Sequence, residues 1–350
     1  MDNEITYVIG HKNPDTDSVA SAIGLAALRR AQGHAGVVAA RAGDINRQTA
    51  FVLDYLKLAP PVYLSNVFPK AKDVMSPDVV SVDGETPLSE VMEMMRAQRI
   101  RYVPVLGAGR RPVGALTLMD LAKRYVEMGA AVGGREVRTT LPNLVRTLKA
   151  DSVLDFLGNA DVTFALYVAA MSVDSFEDIL AGRRPQAAAI VVGDRQNIQL
   201  AAIRRGVGLI IVSGGFRVSD EVKDAARAAR TSIVVTAFDS ATAANLAGLS
   251  TPARLVCPDG YISAAPDDLC DDIRHRLVDA DGLVVVDGDG VMQGVVTKTS
   301  LIKESRTSLI LVDHNELGQA VDGADKVNIR EIIDHHRLGS LQTAQPITFL

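Results

Sequence analysis

The chain has 350 residues, a formal net charge of −5, 47% apolar residues, two cysteines and no tryptophan. That length and apolar content can fill two or three domain cores. Mild acidity excludes a general attraction to nucleic acid or anionic membrane, and so few thiols exclude a disulfide scaffold.

The opening M-D-N-E-I-T has neither the basic nor the apolar stretch of a secretory signal, and no later apolar run approaches the ~18–20 residues that span a bilayer. Val8 to Ser18, V-I-G-H-K-N-P-D-T-D-S, reads as the end of a strand, a turn at Pro14 and a helix start near Ser18. It sets His11, Asp15 and Asp17 close together. Asp15 or Asp17 can cap that helix, which explains one of the three residues and not all of them. Thr86-Pro87 is a second helix start, and Leu88, Val91, Met92 and Met95 form one apolar face, read as core packing. Val103 to Leu121 and Leu283 to Leu301 form an internal repeat without a gap, with Gly114 on Gly294, Thr117 on Thr297 and Leu121 on Leu301. Each copy reads as strand, glycine turn, strand and short helix, preceded by an amphipathic helix. Between the copies, Ile190 to Ile203 and Leu209 to Gly215 alternate strands with Ala-rich helices, a small α/β unit. Cys257 and Cys270 read as reduced, buried thiols. Two further apolar runs end in L-V-D-H-N-E (Leu311 to Glu316) and I-I-D-H-H-R (Ile332 to Arg337).

Strands that end in His or Asp at three sequence-distant places are how a parallel sheet gathers metal ligands at its C-terminal edge. Alone, Asp313 would be a strand-end turn residue and His335-His336 a surface pair. With His11, Asp15 and Asp17 they read as a metal site. Carboxylates and imidazoles without a thiolate suit Mn, Co, Mg or Zn. Two such ions about 3.5–4 Å apart share a bridging carboxylate and clamp the attacking and leaving oxygens of a phosphoryl transfer. The positive end of the helix near Ser18 favours an anion as well, so a phosphate-bearing substrate is expected.

H-K-N-P-D-T-D-S, V-D-H-N-E and D-H-H-R, in this order, resemble the motifs of the DHH phosphoesterases, and among them the family II, manganese-dependent inorganic pyrophosphatases. Ala40 to Tyr55 and Arg337 to Phe349 agree with that resemblance, which covers essentially the whole chain. It implies an α/β fold in which a parallel-sheet DHH domain is interrupted by a paired CBS module and an α/β DRTGG domain. It implies that His11, Asp15, Asp17, Asp313 and His335 bind Mn2+ or Co2+, with Mg2+ as an alternative, and that Asp313 bridges. His336 is the implied catalytic residue, beside the bridging oxygen or the leaving phosphate. The implied reaction is hydrolysis of pyrophosphate to two phosphates.

The repeat resembles a pair of CBS motifs, which hold adenine nucleotides in clefts between them. Thr117 and Asp120 match that family's T-x-x-D element, which sets a hydroxyl and a carboxylate at ribose and phosphate. The second copy keeps Thr297 but has Ser300 for the acid, implying weaker ribose binding there. A helix cap at Thr117 accounts for the threonine but not for the paired aspartate. Asp194-Arg195 and Ser213-Gly214-Gly215 resemble the DRTGG signature with Ser in place of Thr, although Gly214-Gly215 also reads as a plain turn. The implied ligands are AMP, ADP, ATP and diadenosine polyphosphates. The implied assembly is a cytoplasmic homodimer with no nucleic-acid or membrane partner.

The resulting division places the DHH domain at 1–66 and 307–350, the CBS motifs at 67–128 and 251–306, and the DRTGG-like domain at 129–250. Five ligands leave two metal shells a carboxylate short. The family takes that carboxylate, and the basic residues that grip phosphate, from chain beyond the DHH motif. Together with the apolar ending P-I-T-F-L, this creates the expectation of an incomplete DHH domain in a shortened chain. Two other readings stay open: a non-catalytic regulatory protein that binds adenine nucleotides, and a DHH phosphodiesterase acting on short oligonucleotides or cyclic dinucleotides.

Overall fold

The structure, a computed structural model, describes residues 5–129, 135–181, 184–258, 260–302, 307–337 and 347–350. Most of the Arg337 to Phe349 stretch, at 338–346, lies outside the described residues, as does the junction 303–306 after the second repeat. The chain divides into two compact units, residues 1–79 with 262–350, and residues 80–261.

The first unit is built on a six-stranded sheet in the order 348–349, 328–333, 307–312, 5–9, 37–41, 62–63, with every pair parallel. Its centre joins the two extremes of the sequence, with Ile5 opposite Thr307 and Ile9 opposite Leu311. Central parallel strands are covered on both faces and so read as unbroken apolar runs. Val8, Ile9, Leu309 and Leu311 are accordingly fully buried. Helix Thr16–Ala31 lays Ala22 and Ala26 against Val8, Val37, Ile310 and Val312 on one face. On the other, Ile9, Ala40, Leu309 and Leu311 pack with Val67, Val321 and Ala324. Arg29, in the last turn of the helix, donates through Nη2 to both carboxylate oxygens of Glu331, at 2.6 and 2.7 Å.

The two repeat copies fold alike. Val82–Asp83 runs parallel to Tyr102–Leu106, which pairs antiparallel with Pro112–Thr117. Ser263–Ala264, Leu283–Val286 and Met292–Val296 repeat the pattern. The matched glycines have one job, close approach of a crossing segment. A Cβ on Gly114 would stand 2.6 Å from Cys257 Cβ, and one on Gly294 2.6 Å from the Ser76 carbonyl oxygen. The methionine stripe is core: helix Leu88–Gln98 buries Leu88, Val91 and Met95.

The second unit also carries a six-stranded sheet, ordered 135–139, 162–168, 188–192, 209–212, 232–235, 151–154, with the four inner strands parallel and both outer ones antiparallel. Helices Val173–Leu180, Gln196–Arg204 and Asp220–Ala229 cover one face, Leu141–Leu148 and Ser240–Gly248 the other. Asp194-Arg195 and Ser213-Gly214-Gly215 follow neighbouring strands at one edge. Gly214 and Gly215 have φ of 79° and 69°, and their amides donate to the carbonyls of Phe238 and Thr236 at 2.7 and 2.8 Å. They form a turn that a side chain would strain. Both cysteines are free thiols; burial pushes each up to about 11, although Cys257 is only partly buried. Among the described residues no helix is long and apolar enough to cross a membrane.

Candidate metal centre

Strands Ile5–Ile9, Thr307–Val312 and Asn328–Ile333 are parallel neighbours, so the residues that follow them emerge along one edge. Asp313 is the hub. Its side chain is 5% exposed, and Oδ2 lies 3.4 Å from His11 Nε2 while Oδ1 lies 3.3 Å from His335 Nε2 and 3.9 Å from His336 Nδ1. His11 Nε2 is also 3.9 Å from Asp15 Oδ1, and His335 Nε2 is 3.7 Å from Asp17 Oδ2. Two sets of donor atoms result, each contained within 4.8 Å: His11, Asp15 and Asp313, and Asp313, His335 and His336. They share Asp313, one carboxylate oxygen toward each set. A mixed carboxylate–imidazole pair of sets with a shared carboxylate fits two divalent cations of the Mn, Co, Mg or Zn class.

The structure thus brings together all six residues expected at this site, with two differences. His336, expected only as the catalytic group, also joins a ligand set. Asp17 reaches His335 but belongs to neither set.

Local rules explain the placement. Asp313 closes its strand at φ 61°, a left-handed conformation that Asp tolerates better than most residues, while its amide donates to the Ile333 carbonyl at 3.0 Å. Helix Thr16–Ala31 starts two residues before Ser18, and Asp15 caps it, Oδ1 accepting from the Ser18 amide at 2.9 Å. The cap therefore fixes the carboxylate that faces His11. The His11 to Pro14 turn passes over Gly43, where a Cβ would stand 2.0 Å from the Lys12 carbonyl oxygen and 2.8 Å from Pro14 Cδ. Gly43→Ala is expected to push that turn aside, costing about 1–3 kcal/mol and weakening Mn2+ binding. Calorimetric titration and hydrogen exchange in the strands Ile5–Ile9 and Thr307–Val312 check this; no change in either would mean that the turn has room.

Sequence reasoning assigned no role to Asp334, Asn315 or His314, which stand behind the cluster. The Asp334 side chain is fully buried, and its Oδ1 accepts from His336 Nδ1 at 2.7 Å. Asn315 Nδ2 donates to Asp334 Oδ2 and, at 2.9 Å, to the Arg337 carbonyl. Burial pushes the Asp334 carboxyl up, but the hydrogen bonds from His336 and Asn315 outweigh it and leave it below the usual carboxylate range. The same hydrogen bond with Asp334 raises the pKa of His336. His314 is 2% exposed, and burial lowers its pKa. A cavity of about 710 Å³ opens onto His11, Asp313, His314 and His336, with Lys12 and Arg337 supplying positive charge. All three overlooked residues sit inside the quoted motifs, so adjacency was the signal. Burial was what the letters did not carry.

Thr117 and Asp120 form a reciprocal capping box. The carboxylate Oδ2 accepts from the Thr117 amide at 2.8 Å and from its hydroxyl at 2.6 Å, while the Asp120 amide donates to Thr117 Oγ1 at 3.2 Å. This corrects the view that capping explains only the threonine. The second copy repeats the arrangement through hydroxyls, with Thr297 Oγ1 and Ser300 Oγ 3.1 Å apart.

The DRTGG domain family matches residues 143–249, and the CBS domain family matches 71–127 and 258–307. The chain is 34% identical over 349 residues to the probable manganese-dependent inorganic pyrophosphatase of Thermotoga maritima. It is 28% identical over 349 residues to the cobalt-dependent inorganic pyrophosphatase of Clostridium perfringens. Each alignment takes in 99% of this chain and 63% of the relative, so the chain spans rather less than two thirds of the length of either. The crystal structure of the CBS and DRTGG domains of the regulatory region of Clostridium perfringens pyrophosphatase, complexed with the activator diadenosine tetraphosphate, is similar in fold. Its TM-score is 0.55 at 24% identity, over 65% of this chain and 99% of that one. Over 99% of its length the chain is similar to relatives named manganese- and cobalt-dependent inorganic pyrophosphatases, and it carries a DRTGG domain between two CBS domains.

Proposed function

We propose that the chain provides the metal-binding half and the regulatory insert of an inorganic pyrophosphatase, which adds water to one phosphorus of pyrophosphate, breaks the P–O–P bond and releases two phosphates. The observation that carries this reading is Asp313, shared between two ligand sets drawn from opposite ends of the sequence. His11, Asp15 and Asp313 would hold one divalent cation, and Asp313, His335 and Asp17 the other, with His336 beside it. Bound Mn2+ or Co2+, with Mg2+ as an alternative, would lower the pKa of water and neutralise charge on the phosphates. The remaining work belongs to the protein. Asp334 accepts the Nδ1–H of His336 and raises its pKa, favouring the doubly protonated ring, whose Nε2–H would be given to the leaving phosphate. Lys12 and Arg337 attract the anion into the cavity.

The relatives named manganese- and cobalt-dependent pyrophosphatases and the activator bound by the Clostridium perfringens regulatory region support both halves of the proposal. In this reading the DHH domain comprises 1–66 and 307–350, the CBS motifs 67–128 and 251–306 and the DRTGG domain 129–250. AMP, ADP, ATP or diadenosine polyphosphates bind the CBS pair, and the protein is a cytoplasmic homodimer. Phosphate release from pyrophosphate with Mn2+ or Co2+, beside calorimetric titration of AMP and a diadenosine polyphosphate, tests it. Nucleotide binding without phosphate release would favour a regulatory protein, and cleavage of short oligonucleotides or cyclic dinucleotides a phosphodiesterase. Asp120→Asn keeps a cap acceptor but loses the charge, and is expected to lower AMP affinity about tenfold, the loss of one charge-assisted bond. Unchanged affinity would leave Asp120 as a cap alone.

A further inference from the structure

The backbone ladder between strands Thr307–Val312 and Asn328–Ile333 ends where the Asp313 amide donates to the Ile333 carbonyl. Beyond that rung stand the two loops that carry Asp313 and the His335-His336 pair. Asn315, 4% exposed, ties one loop to the other. Its Nδ2 donates to both ends of a single turn, to Asp334 Oδ2 and, at 2.9 Å, to the Arg337 carbonyl. His335 and His336 lie between those ends. A hydroxyl has one hydrogen to give and a carboxylate none, so the two donors of a carboxamide suit this position.

Asp334 makes the tie consequential. Its side chain is fully buried, and its Oδ1 accepts from the His336 ring at 2.7 Å and from the His336 amide at 3.2 Å. Oδ2 accepts from Asn315. A buried carboxylate oxygen that loses its donor is unfavourable, so the turn rearranges when Asn315 is removed. The other ligand set is anchored elsewhere: His11 follows strand Ile5–Ile9, and Asp15 is held by the Ser18 amide in the helix cap.

We propose that Asn315 is a positioning residue for one metal and not for the other: by holding both ends of the Asp334 to Arg337 turn it sets His335 and His336 against Asp313, while His11 and Asp15 keep their places without it. The inference rests on the metal-centre reading for the ions, but the clamp itself can be tested in the metal-free chain.

By NMR of the metal-free full-length chain, the side-chain amide protons of Asn315 are expected to exchange slowly with solvent. Asn315→Leu removes both donors at similar volume, and Asn315→Ala removes them without adding bulk. In either variant the His336 amide is expected to exchange roughly tenfold faster, with protection in strands Ile5–Ile9 and Thr307–Val312 unchanged. Calorimetry is expected to give two Mn2+ ions per wild-type chain. In the variants one ion should keep its affinity while the other weakens roughly 10–100-fold. A general structural role would weaken both ions and loosen the strands together, and that result would overturn the proposal. So would two ions held at wild-type affinity in both variants. Fast exchange of the Asn315 side-chain amide in the wild-type chain would also overturn it, and needs no variant to fold. A wild-type chain that binds no Mn2+ would sink the metal reading separately, leaving exchange at His336 to decide the clamp.

Discussion

Replacing Asp313 with alanine is expected to remove both metal sites at once. One oxygen of this carboxylate faces His11 and the other faces His335, so no other residue serves both ligand sets. Loss of an outer-shell partner alone weakens metal affinity by about 10–100-fold, and loss of the shared ligand should exceed that. Mn2+ titration of Asp313→Ala is expected to show no binding at the concentrations that saturate the wild-type chain, and any pyrophosphate turnover to disappear with it. Folding should persist, because the side chain sits at a strand end and not among the apolar cores. Retention of two ions per chain would show that Asp313 is a turn residue and nothing more.

The second large effect is on stability. Glu331 is on an inner strand, second from the sheet edge, with its side chain 11% exposed, and Arg29, 25% exposed, comes from the helix that packs across the sheet. Removing one partner of a buried ion pair leaves the other charge unpaired, at about 3–5 kcal/mol. Arg29→Ala is therefore expected to destabilise the first unit strongly, whereas Arg29→Met combined with Glu331→Leu should recover most of the loss, because the pair as a whole is worth little against apolar packing. A chain with two units does not melt as one, so hydrogen exchange in the strands Ile5–Ile9 and Thr307–Val312 is the appropriate readout. Equal protection in Arg29→Ala and the wild type would mean that the pair is solvated.

Much of the fold was legible because the governing rules are local. Unbroken apolar runs before His11, Asp313 and His335 announced buried parallel strands, and parallel neighbours must deliver their trailing residues to one edge. The gap-free offset between Val103 to Leu121 and Leu283 to Leu301 announced two similar lobes. What stayed hidden depends on burial and on partners distant in sequence. Asp334 was visible as a letter of D-H-H, but that its carboxylate is fully buried and orients His336 needed Asn315 to be in place. Asp120 looked like a residue in excess of capping until the reciprocal bond to Thr117 appeared. Asp15 was weighed as cap or ligand, and one oxygen serves the cap while facing His11.

Crystals of the full-length chain grown with Mn2+ would test the central claim most directly, through anomalous scattering at the manganese edge. The account expects two peaks flanking the Asp313 carboxylate, one beside His11 and Asp15, the other beside His335 and His336. A lone peak elsewhere, or none near Asp313 at saturating Mn2+, would contradict it.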